Sequence, residues 1–130
     1  MVVTDPIADF LIRIKNGSLA RKDAIEVRWS TIKQKMAEIL VEEGYLKGFK
    51  VKKDKFQVLV LDLLYKDKRP VLTGVKRLSK PGVRIYTKAK KMPSIKKAGG
   101  LTLVSTPQGL MTSQQARKKN LGGEVIGQVW

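Results

Sequence analysis

The sequence predicts an α+β fold of two small domains, an N-terminal α-β-α-β-β unit and a C-terminal mainly β domain with one short helix. In the first half, apolar residues recur with helical spacing in two segments and alternate with polar residues in others. In the second half, glycine and proline turns separate short apolar runs, which is typical of strands. Of the 130 residues, 42% are hydrophobic, so the chain should form a core.

Two helices are predicted in the first half. Asp5 suits a helix cap and Pro6 the first helical position, and an apolar stripe follows. Gly17 is a plausible stop, although the helix could run further. The second helix begins after Ser30 and ends at Gly44, a residue type that commonly terminates helices. Three strands surround this second helix, at 24–29, 45–51 and 56–64.

A charged segment that ends in proline, 65–70, separates the two halves. We place the first domain at 1–66, a linker at 67–72 and the second domain at 73–130. The predicted strands of the second half are 71–78, 83–86, 101–105 and 124–130, with a turn at Ser79-Lys80-Pro81-Gly82. Thr112 and Gln115 have the spacing of a capping box, which predicts a short helix through Lys118.

The charge is large and unevenly distributed. Lys and Arg number 27 against 11 Asp and Glu, a formal net charge of +16, whereas a magnitude of roughly 2–8 suits an ordinary small domain. Residues 1–67 carry 13 basic and 10 acidic side chains, but residues 68–130 carry 14 basic ones and a single acid, Glu124. The second half therefore predicts a nucleic acid partner. The alternative is a solvated surface, on which cations at the end of the helix complement its dipole.

Composition also excludes several classes of chemistry. The chain has no Cys and no His, which excludes disulfides, thiol nucleophiles, imidazole acid–base catalysis and Cys/His zinc sites. We therefore predict no enzymatic activity, no cofactor and no metal. No apolar run reaches the roughly 18 residues of a membrane span, and residues 1–9 lack the basic residues of a signal peptide. The expected location is cytoplasmic.

A polar loop follows the predicted strand 101–105. Ser105, Thr106 and Gln108 offer hydroxyl and amide groups to bases, sugars or phosphates, and Gly109 permits close backbone approach. An ordinary turn, whose hydroxyls bond to local backbone groups, is the alternative. Tyr86 could stack on a base, although a tyrosine in a strand more commonly lies at the edge of a core.

Other classes remain open. A DNA-binding or RNA-chaperone module would bind any polyanion with similar affinity. An enzyme acting on nucleic acid would use carboxylates such as Asp5 and Asp9, which share one helix face, although first-turn carboxylates that complement the helix dipole explain this pair more simply. A peripheral membrane role is weaker still, since the basic half lacks a clear basic amphipathic helix.

Five blocks of sequence occur in a characteristic order. They are Thr4-Asp5-Pro6-Ile7-Ala8-Asp9 with Arg13-Ile14-Lys15-Asn16; Ser79-Lys80-Pro81-Gly82-Val83-Arg84-Ile85-Tyr86; Ser105-Thr106-Pro107-Gln108-Gly109 with Met111-Thr112; Ala116-Arg117; and Gly122-Gly123-Glu124 with Val129-Trp130. In this order the blocks resemble the bacterial-type small-subunit ribosomal protein number eight family over essentially the full length. The family pattern has a third hydroxyl where this chain has Pro107, and an Asp where it has Ser113.

The resemblance implies a structural protein that binds an irregular helix in the central domain of the small-subunit ribosomal RNA and stabilises its fold during assembly. It implies that Ser105, Thr106 and Gly109 belong to the main RNA-contacting loop. It also implies small-subunit proteins five and twelve as neighbours and, in some members, repression through the operon messenger RNA. The predicted RNA-binding residues are Arg84, Tyr86, Lys88, Ser105, Thr106, Gln108, Gly109, Gly122, Gly123 and Glu124, with Thr4, Asp5 and Arg13 from the first domain.

Overall fold

The computed structural model describes residues 5–80, 82–91 and 100–130. The chain divides into two compact units: the first is Ile7–Gly74, and the second comprises the described part of Val75–Trp130 together with Asp5 and Pro6. Helices and antiparallel sheets occur as expected, which confirms the α+β prediction. The division at Gly74 falls just after the predicted linker 67–72, and the domain boundaries themselves stay a prediction.

The first unit has the α-β-α-β-β order. Its elements are α1 (Pro6–Leu19), β1 (Ala24–Arg28), α2 (Thr31–Glu42), β2 (Leu46–Lys53) and β3 (Gln57–Leu63). Strand β3 lies between β1 and β2 and is antiparallel to both. The hydroxyl of Ser30 accepts a hydrogen bond from the Lys33 N–H at 3.2 Å, so the predicted N-cap of α2 is present.

Helix α1 runs past the plausible stop at Gly17 and ends at Leu19, the longer of the two alternatives. Gly17 is buried, and a Cβ atom there would lie 2.7 Å from the Ile25 side chain. The glycine therefore permits close packing of α1 on β1. The core of this unit combines side chains from both helices and the sheet, including Phe10, Leu11, Ile14, Met36, Leu40, Leu59 and Leu61.

The charged segment at 65–70 forms a short hairpin of β4 (Tyr65–Lys66) and β5 (Arg69–Pro70). Its two turn residues, Asp67 and Lys68, have positive φ angles of 52° and 63°, as favoured two-residue hairpin turns require. The Tyr65 hydroxyl donates a hydrogen bond to the Lys22 carbonyl at 2.6 Å. Much of the segment predicted as a linker is thus ordered structure that belongs to the first unit.

The second unit is a sheet built around its last strand. Its elements are β6 (Val75–Arg77), β7 (Tyr86–Thr87), a 3-10 helix (Ala89–Lys91), β8 (Leu101–Thr106), β9 (Gly109–Thr112), α3 (Ser113–Lys118) and β10 (Gly123–Val129). Strand β8 pairs with one edge of β10, and β9 lies outside β8. Strands β7 and β6 pair with the beginning and the end of the other edge.

The short helix α3 begins with the predicted capping box. The Thr112 hydroxyl accepts from the Gln115 N–H at 3.2 Å, and the Gln115 side chain accepts from the Thr112 N–H at 3.1 Å. Ala116 of this helix packs with Val104 and Met111, so α3 covers one face of the sheet. The immediate sequence neighbours of Val104 in β8 therefore point their side chains to the opposite face of the sheet.

Two predicted strands of the second unit are shorter than expected. The strand predicted at 71–78 is reduced to Val75–Arg77, and the one predicted at 83–86 is replaced by Tyr86–Thr87. The physical reason lies at Ser79, whose buried hydroxyl accepts the Ile85 N–H at 3.1 Å. The Ser79 hydroxyl thus takes the place of the backbone carbonyl that a neighbouring strand would offer to this N–H. The segment that contains Val83 does not continue the strand, and Val83 is 65% exposed.

Tyr45, just before β2, is a buried tyrosine without a hydrogen-bond partner for its hydroxyl among the described residues. Burial and the nearby Glu43 carboxylate raise the pKa of Tyr45 above its ordinary value of 10.0. The unfolded chain loses this proton near pH 10, whereas the folded chain retains it to higher pH. The free energy of unfolding should therefore fall as the pH rises above 10.

We expect Tyr45→Phe to lessen this alkaline loss and to leave the free energy of unfolding at neutral pH unchanged or slightly raised, because an unpartnered hydroxyl is removed. The measurement is urea unfolding at about pH 8 and about pH 11. Tyr86→Phe is the matched control because Tyr86 is 71% exposed. An equal alkaline loss in Tyr45→Phe and the unaltered protein would contradict the assignment.

Candidate nucleic-acid interface

Three predicted site residues form one row across the sheet of the second unit. In the strand register, Tyr86 of β7 is opposite Glu124 of β10, and Glu124 is opposite Ser105 of β8. Directly opposed residues of antiparallel strands place their side chains on the same face. The row lies on the face opposite α3, since Val104 points toward that helix and Ser105 is its neighbour.

The two glycines at the start of β10 permit this arrangement. A Cβ atom on Gly123 would overlap the carbonyl oxygen of Ser105, and one on Gly122 would lie 2.7 Å from the Thr87 carbonyl oxygen and 3.2 Å from Lys88 Cα. Each glycine thus admits the backbone of a different neighbour. The predicted glycine pair therefore shapes the site through backbone approach, and it holds Tyr86 and Ser105 on either side of Glu124.

Glu124 has its carboxylate engaged within the protein. Its Oε2 accepts from the Ser79 hydroxyl at 2.6 Å and from Arg84 Nη1 at 3.1 Å. Ser79 is fully buried, whereas the Arg84 side chain is 46% exposed. The Glu124 carboxylate therefore holds the segment between Ser79 and Tyr86 against β10, and it keeps the Arg84 guanidinium beside the row.

The polar loop is the turn of the β8–β9 hairpin. The Thr106 hydroxyl donates to the Gly109 carbonyl at 2.8 Å and accepts from the Gln108 N–H at 3.1 Å, and Thr106 is only 8% exposed. Gly109 has a φ of 113°, a value that a residue with a side chain rarely adopts. Thr106 and Gly109 thus define the shape of the turn, while Pro107 and Gln108 stand exposed at its tip.

The Ser105 hydroxyl differs from that of Thr106. It makes no hydrogen bond with the part of the chain that the structure describes, and Ser105 is half-buried in the middle of the sheet face. A hydroxyl with unused donor and acceptor capacity, held on a rigid strand, suits recognition of an external polar group.

Exposed cations surround the beginning of β10. Lys88 and Lys90 line a concavity of about 450 Å³ together with Asn120 and Gly122. The end of α3 adds further exposed cations, Arg117, Lys118 and Lys119. Exposed cations therefore lie near the beginning of β10 and at the end of α3, the helix on the face opposite the row.

The N-terminal residues that were predicted to bind RNA are placed differently. Thr4 lies outside the described residues. Asp5 forms an ion pair with Arg77 at 3.1 Å, and the Arg77 side chain is only 7% exposed. Arg13 in the first unit pairs with Asp9 at 3.3 Å. Residues 5–80, 82–91 and 100–130 contain no group of three or more carboxylates that could hold a metal ion.

Sequence reasoning did not identify Ser79 as part of the site. Ser79 begins a predicted turn, and a hydroxyl in a turn usually bonds to nearby backbone groups, so no distant partner was expected. Its partner Glu124 lies 45 positions away. The available signal was the single acid of residues 68–130, because a lone carboxylate among many cations is expected to bond to other groups of the protein.

Gly123→Ala should lower the free energy of unfolding by about 1–3 kcal/mol, because the added methyl group forces β8 away from β10. Gly48→Ala in β2 is the matched control, since its nearest contact, Asp62 Oδ2, would lie 3.7 Å away. The control should be neutral or stabilising by up to about 1 kcal/mol. Urea unfolding of both variants makes the comparison, and equal effects would contradict the close approach described.

Glu124→Ala should cost about 1–3 kcal/mol of stability, because the buried Ser79 hydroxyl loses its acceptor. The control is Glu26→Ala, which removes an ion pair with Lys52 whose two side chains are 57% and 55% exposed. Exposed pairs contribute about 0–1 kcal/mol. A Glu124→Ala cost no larger than that of Glu26→Ala would mean that the Ser79 bond contributes nothing.

Comparison with known proteins identifies the family. The ribosomal protein S8 family matches residues 5–130 of the chain. The small ribosomal subunit protein uS8 of Staphylococcus aureus strain JH9 is 48% identical over 133 residues, and its counterpart in Alkaliphilus oremlandii strain OhILAs is 44% identical over 132 residues. Both alignments cover all of this chain and all of the relative.

Among the described residues, no helix is both long enough and apolar enough to cross a membrane. The order of blocks in the sequence agrees with the full-length matches. The chain belongs to the ribosomal protein S8 family of the small ribosomal subunit.

Proposed function

We propose that the chain binds small-subunit ribosomal RNA through the face of the second unit that carries Tyr86, Glu124 and Ser105. The ligand is an irregular helix of the central domain, and binding stabilises its fold during subunit assembly. The observation that carries the proposal is the unused Ser105 hydroxyl, which stands in one row with an exposed tyrosine and with Glu124, whose carboxylate holds the exposed Arg84.

Each part of the face has a distinct role. Ser105 and the backbone of the hairpin turn contact sugar and base edges, which are accessible in the wide minor groove of RNA. Gln108 adds an amide at the tip of that turn. Tyr86 offers its ring to an unstacked base, which an irregular helix supplies and a regular duplex does not.

The remaining predicted residues act on phosphates or on geometry. Arg84 and Lys88 neutralise phosphates, which contributes affinity and orientation without reading sequence. Glu124, Thr106 and the glycine pair hold the contacting groups in place. RNA binding by Asp5 and Arg13 stays a prediction. Each of the two side chains takes part in an ion pair within the protein.

The wider assignments follow from the family and are part of the same proposal. The chain acts in the ribosome in the cytoplasm, next to small-subunit proteins five and twelve. A messenger RNA that folds into the same irregular shape would compete for the same face, which is how repression of its own operon would arise. This is a structural role, and the proposal assigns no catalytic step to any residue.

The hydroxyl contact is tested with Ser105→Ala. If the hydroxyl is buried against RNA, its loss should weaken binding to a central-domain RNA helix by about 1–3 kcal/mol, since a polar RNA group is left without a partner. Thr31→Ala, an exposed hydroxyl residue at the start of α2, is the control. Filter-binding titration measures both, and an unchanged affinity of Ser105→Ala would exclude Ser105 as a reader of RNA.

The same titration, repeated over a range of salt concentrations, tests the phosphate contact. Lys88→Ala should lower the slope of log affinity against log salt by about one unit. Lys76→Ala is the control, because Lys76 is opposite Gln128 near the other end of β10. If Lys76→Ala lowered the slope as much as Lys88→Ala, the cations would attract RNA through their summed charge, and Lys88 would not be a specific phosphate contact.

A further inference from the structure

Strand β10 contains a β-bulge at Ile126. Val125 and Gly127, on either side of Ile126, are opposite consecutive residues of β8, so Ile126 has no partner of its own on that strand. A bulge inserts one extra residue into a strand, bends the strand and re-aims the side chains next to it. Glu124 precedes the bulge by two residues, so its placement in the row of the proposed face depends on how the bulge is held.

The carbonyl oxygen of Ile126 is the point at which the bulge is held. It accepts hydrogen bonds from Arg77 Nη1 at 2.6 Å, from the Leu78 N–H at 3.1 Å and from the Ser79 N–H at 3.4 Å. The bond from Arg77 is the shortest of the three and has a charged donor, and such bonds are roughly twice as strong as neutral ones. The Arg77 guanidinium is therefore the main anchor of the bulge.

Asp5 holds Arg77 in the orientation that this anchor requires. Arg77 Nε donates to Asp5 Oδ2 at 3.1 Å and to Asp5 Oδ1 at 3.4 Å, while Nη1 of the same guanidinium reaches the bulge. The side chain of Asp5 is 20% exposed and that of Arg77 is 7% exposed. The guanidinium is thus engaged inside the second unit, and the carboxylate that neutralises it also sets its direction.

Ser79 connects the bulge to the proposed face. Its N–H donates to the Ile126 carbonyl. Its hydroxyl donates to the Glu124 carboxylate at 2.6 Å and accepts from the Ile85 N–H at 3.1 Å, and Ile85 immediately precedes Tyr86. A shift of the bulge would therefore move Ser79, and with it both Glu124 and the backbone that carries Tyr86.

We propose that Asp5 and Arg77 are positioning residues for RNA recognition. Their buried pair fixes the β10 bulge and, through Ser79, the geometry of the row, and neither side chain contacts RNA. This inference rests on the proposed function. It gives Asp5 an indirect role in place of the direct contact that the sequence predicted, and it adds Arg77, which lies 72 positions away in the sequence.

The alternative is a purely structural role, in which the pair stabilises the second unit and leaves the row unchanged in the folded protein. The two roles can be separated by experiment. Removing one partner of a buried ion pair leaves an uncompensated charge and is strongly destabilising, whereas replacing both partners by apolar side chains is often neutral or stabilising. A variant without the pair can therefore keep its stability and still lose the anchor of the bulge.

The first test compares two single substitutions that remove the same charge. Asp5→Ala breaks the buried pair. Asp9→Ala is the matched control, because it breaks an ion pair with Arg13 whose side chains are 62% and 56% exposed. A general rise in attraction to RNA is common to both variants. Filter binding measures the affinity of each folded variant for an isolated central-domain RNA helix and for a perfect RNA duplex.

Asp5→Ala should bind the irregular helix about 2- to 30-fold more weakly than Asp9→Ala, the range expected for residues that act on a site without touching the ligand. Both variants should bind the duplex equally, because no phosphate contact is lost. Equal binding of the irregular helix by the two variants would overturn the positioning role. Failure of the proposed function has a different signature, equal binding of the two RNAs by the unaltered protein.

The second test separates positioning from stability. The double substitution of Asp5→Ala with Arg77→Met removes the pair and leaves no unpaired charge, so its free energy of unfolding in urea should return toward that of the unaltered protein. Its affinity for the irregular helix should stay as low as that of Asp5→Ala, because the bulge still lacks its anchor. Recovery of affinity together with stability would show a purely structural role and would overturn the inference.

The third test follows amide hydrogen exchange in the free double variant. The Ile85 N–H, which bonds to the Ser79 hydroxyl, should exchange faster than in the unaltered protein, because a loosened bulge opens this contact more frequently. The Lys33 N–H, which bonds to the Ser30 hydroxyl at 3.2 Å in the first unit, is the matched control and should be unaffected. Unchanged exchange at Ile85 would mean that the pair does not act on the row.

Discussion

The start of β10 can lie between two neighbouring strands because two consecutive residues there lack a side chain. Gly122 admits the backbone around Thr87 and Lys88, and Gly123 admits the backbone of Ser105. The row of Tyr86, Glu124 and Ser105 depends on this approach, because it aligns residues that lie far apart in the sequence. A larger residue at either position would separate the strands before it changed any group that faces solvent.

Glu124 is the one acid of residues 75–130, and Asp5 adds the second carboxylate described in this unit. The Glu124 carboxylate satisfies a buried hydroxyl and holds one arginine, so its charge is used to organise the surface. Lys88 and Lys90 are exposed and form no ion pair with the residues that the structure describes. A bound polyanion would relieve the repulsion between such cations.

Local patterns were sufficient to predict most of the elements and not their pairing. Helical periodicity predicted α1 and α2, and the capping box predicted α3, because these signals depend on residues within one or two turns. The role of Gly17 was missed because it depends on contact with Ile25 of another element. The hairpin at 65–70 was not predicted, because the segment is highly charged and its turn has Lys68 at the position where glycine is usual.

The candidate site shows the same division. The residues of the loop, the glycine pair and Glu124 were predicted, but their roles required the structure. Thr106 proved to be bonded within its own turn, and Ser79 was revealed only by a bond across 45 positions. Ser105 emerged as the hydroxyl with unused capacity, a property that depends on every neighbour and therefore cannot be read from sequence.

The proposed function requires this surface to recognise RNA shape and not merely to attract phosphates. The most direct measurement is competition filter binding of an isolated central-domain helix against a length-matched perfect RNA duplex, at low and at high salt. We expect a strong preference for the irregular helix that persists at high salt, since hydroxyl and stacking contacts are screened less than phosphate contacts. Equal binding of both RNAs that disappears together as salt rises would contradict it.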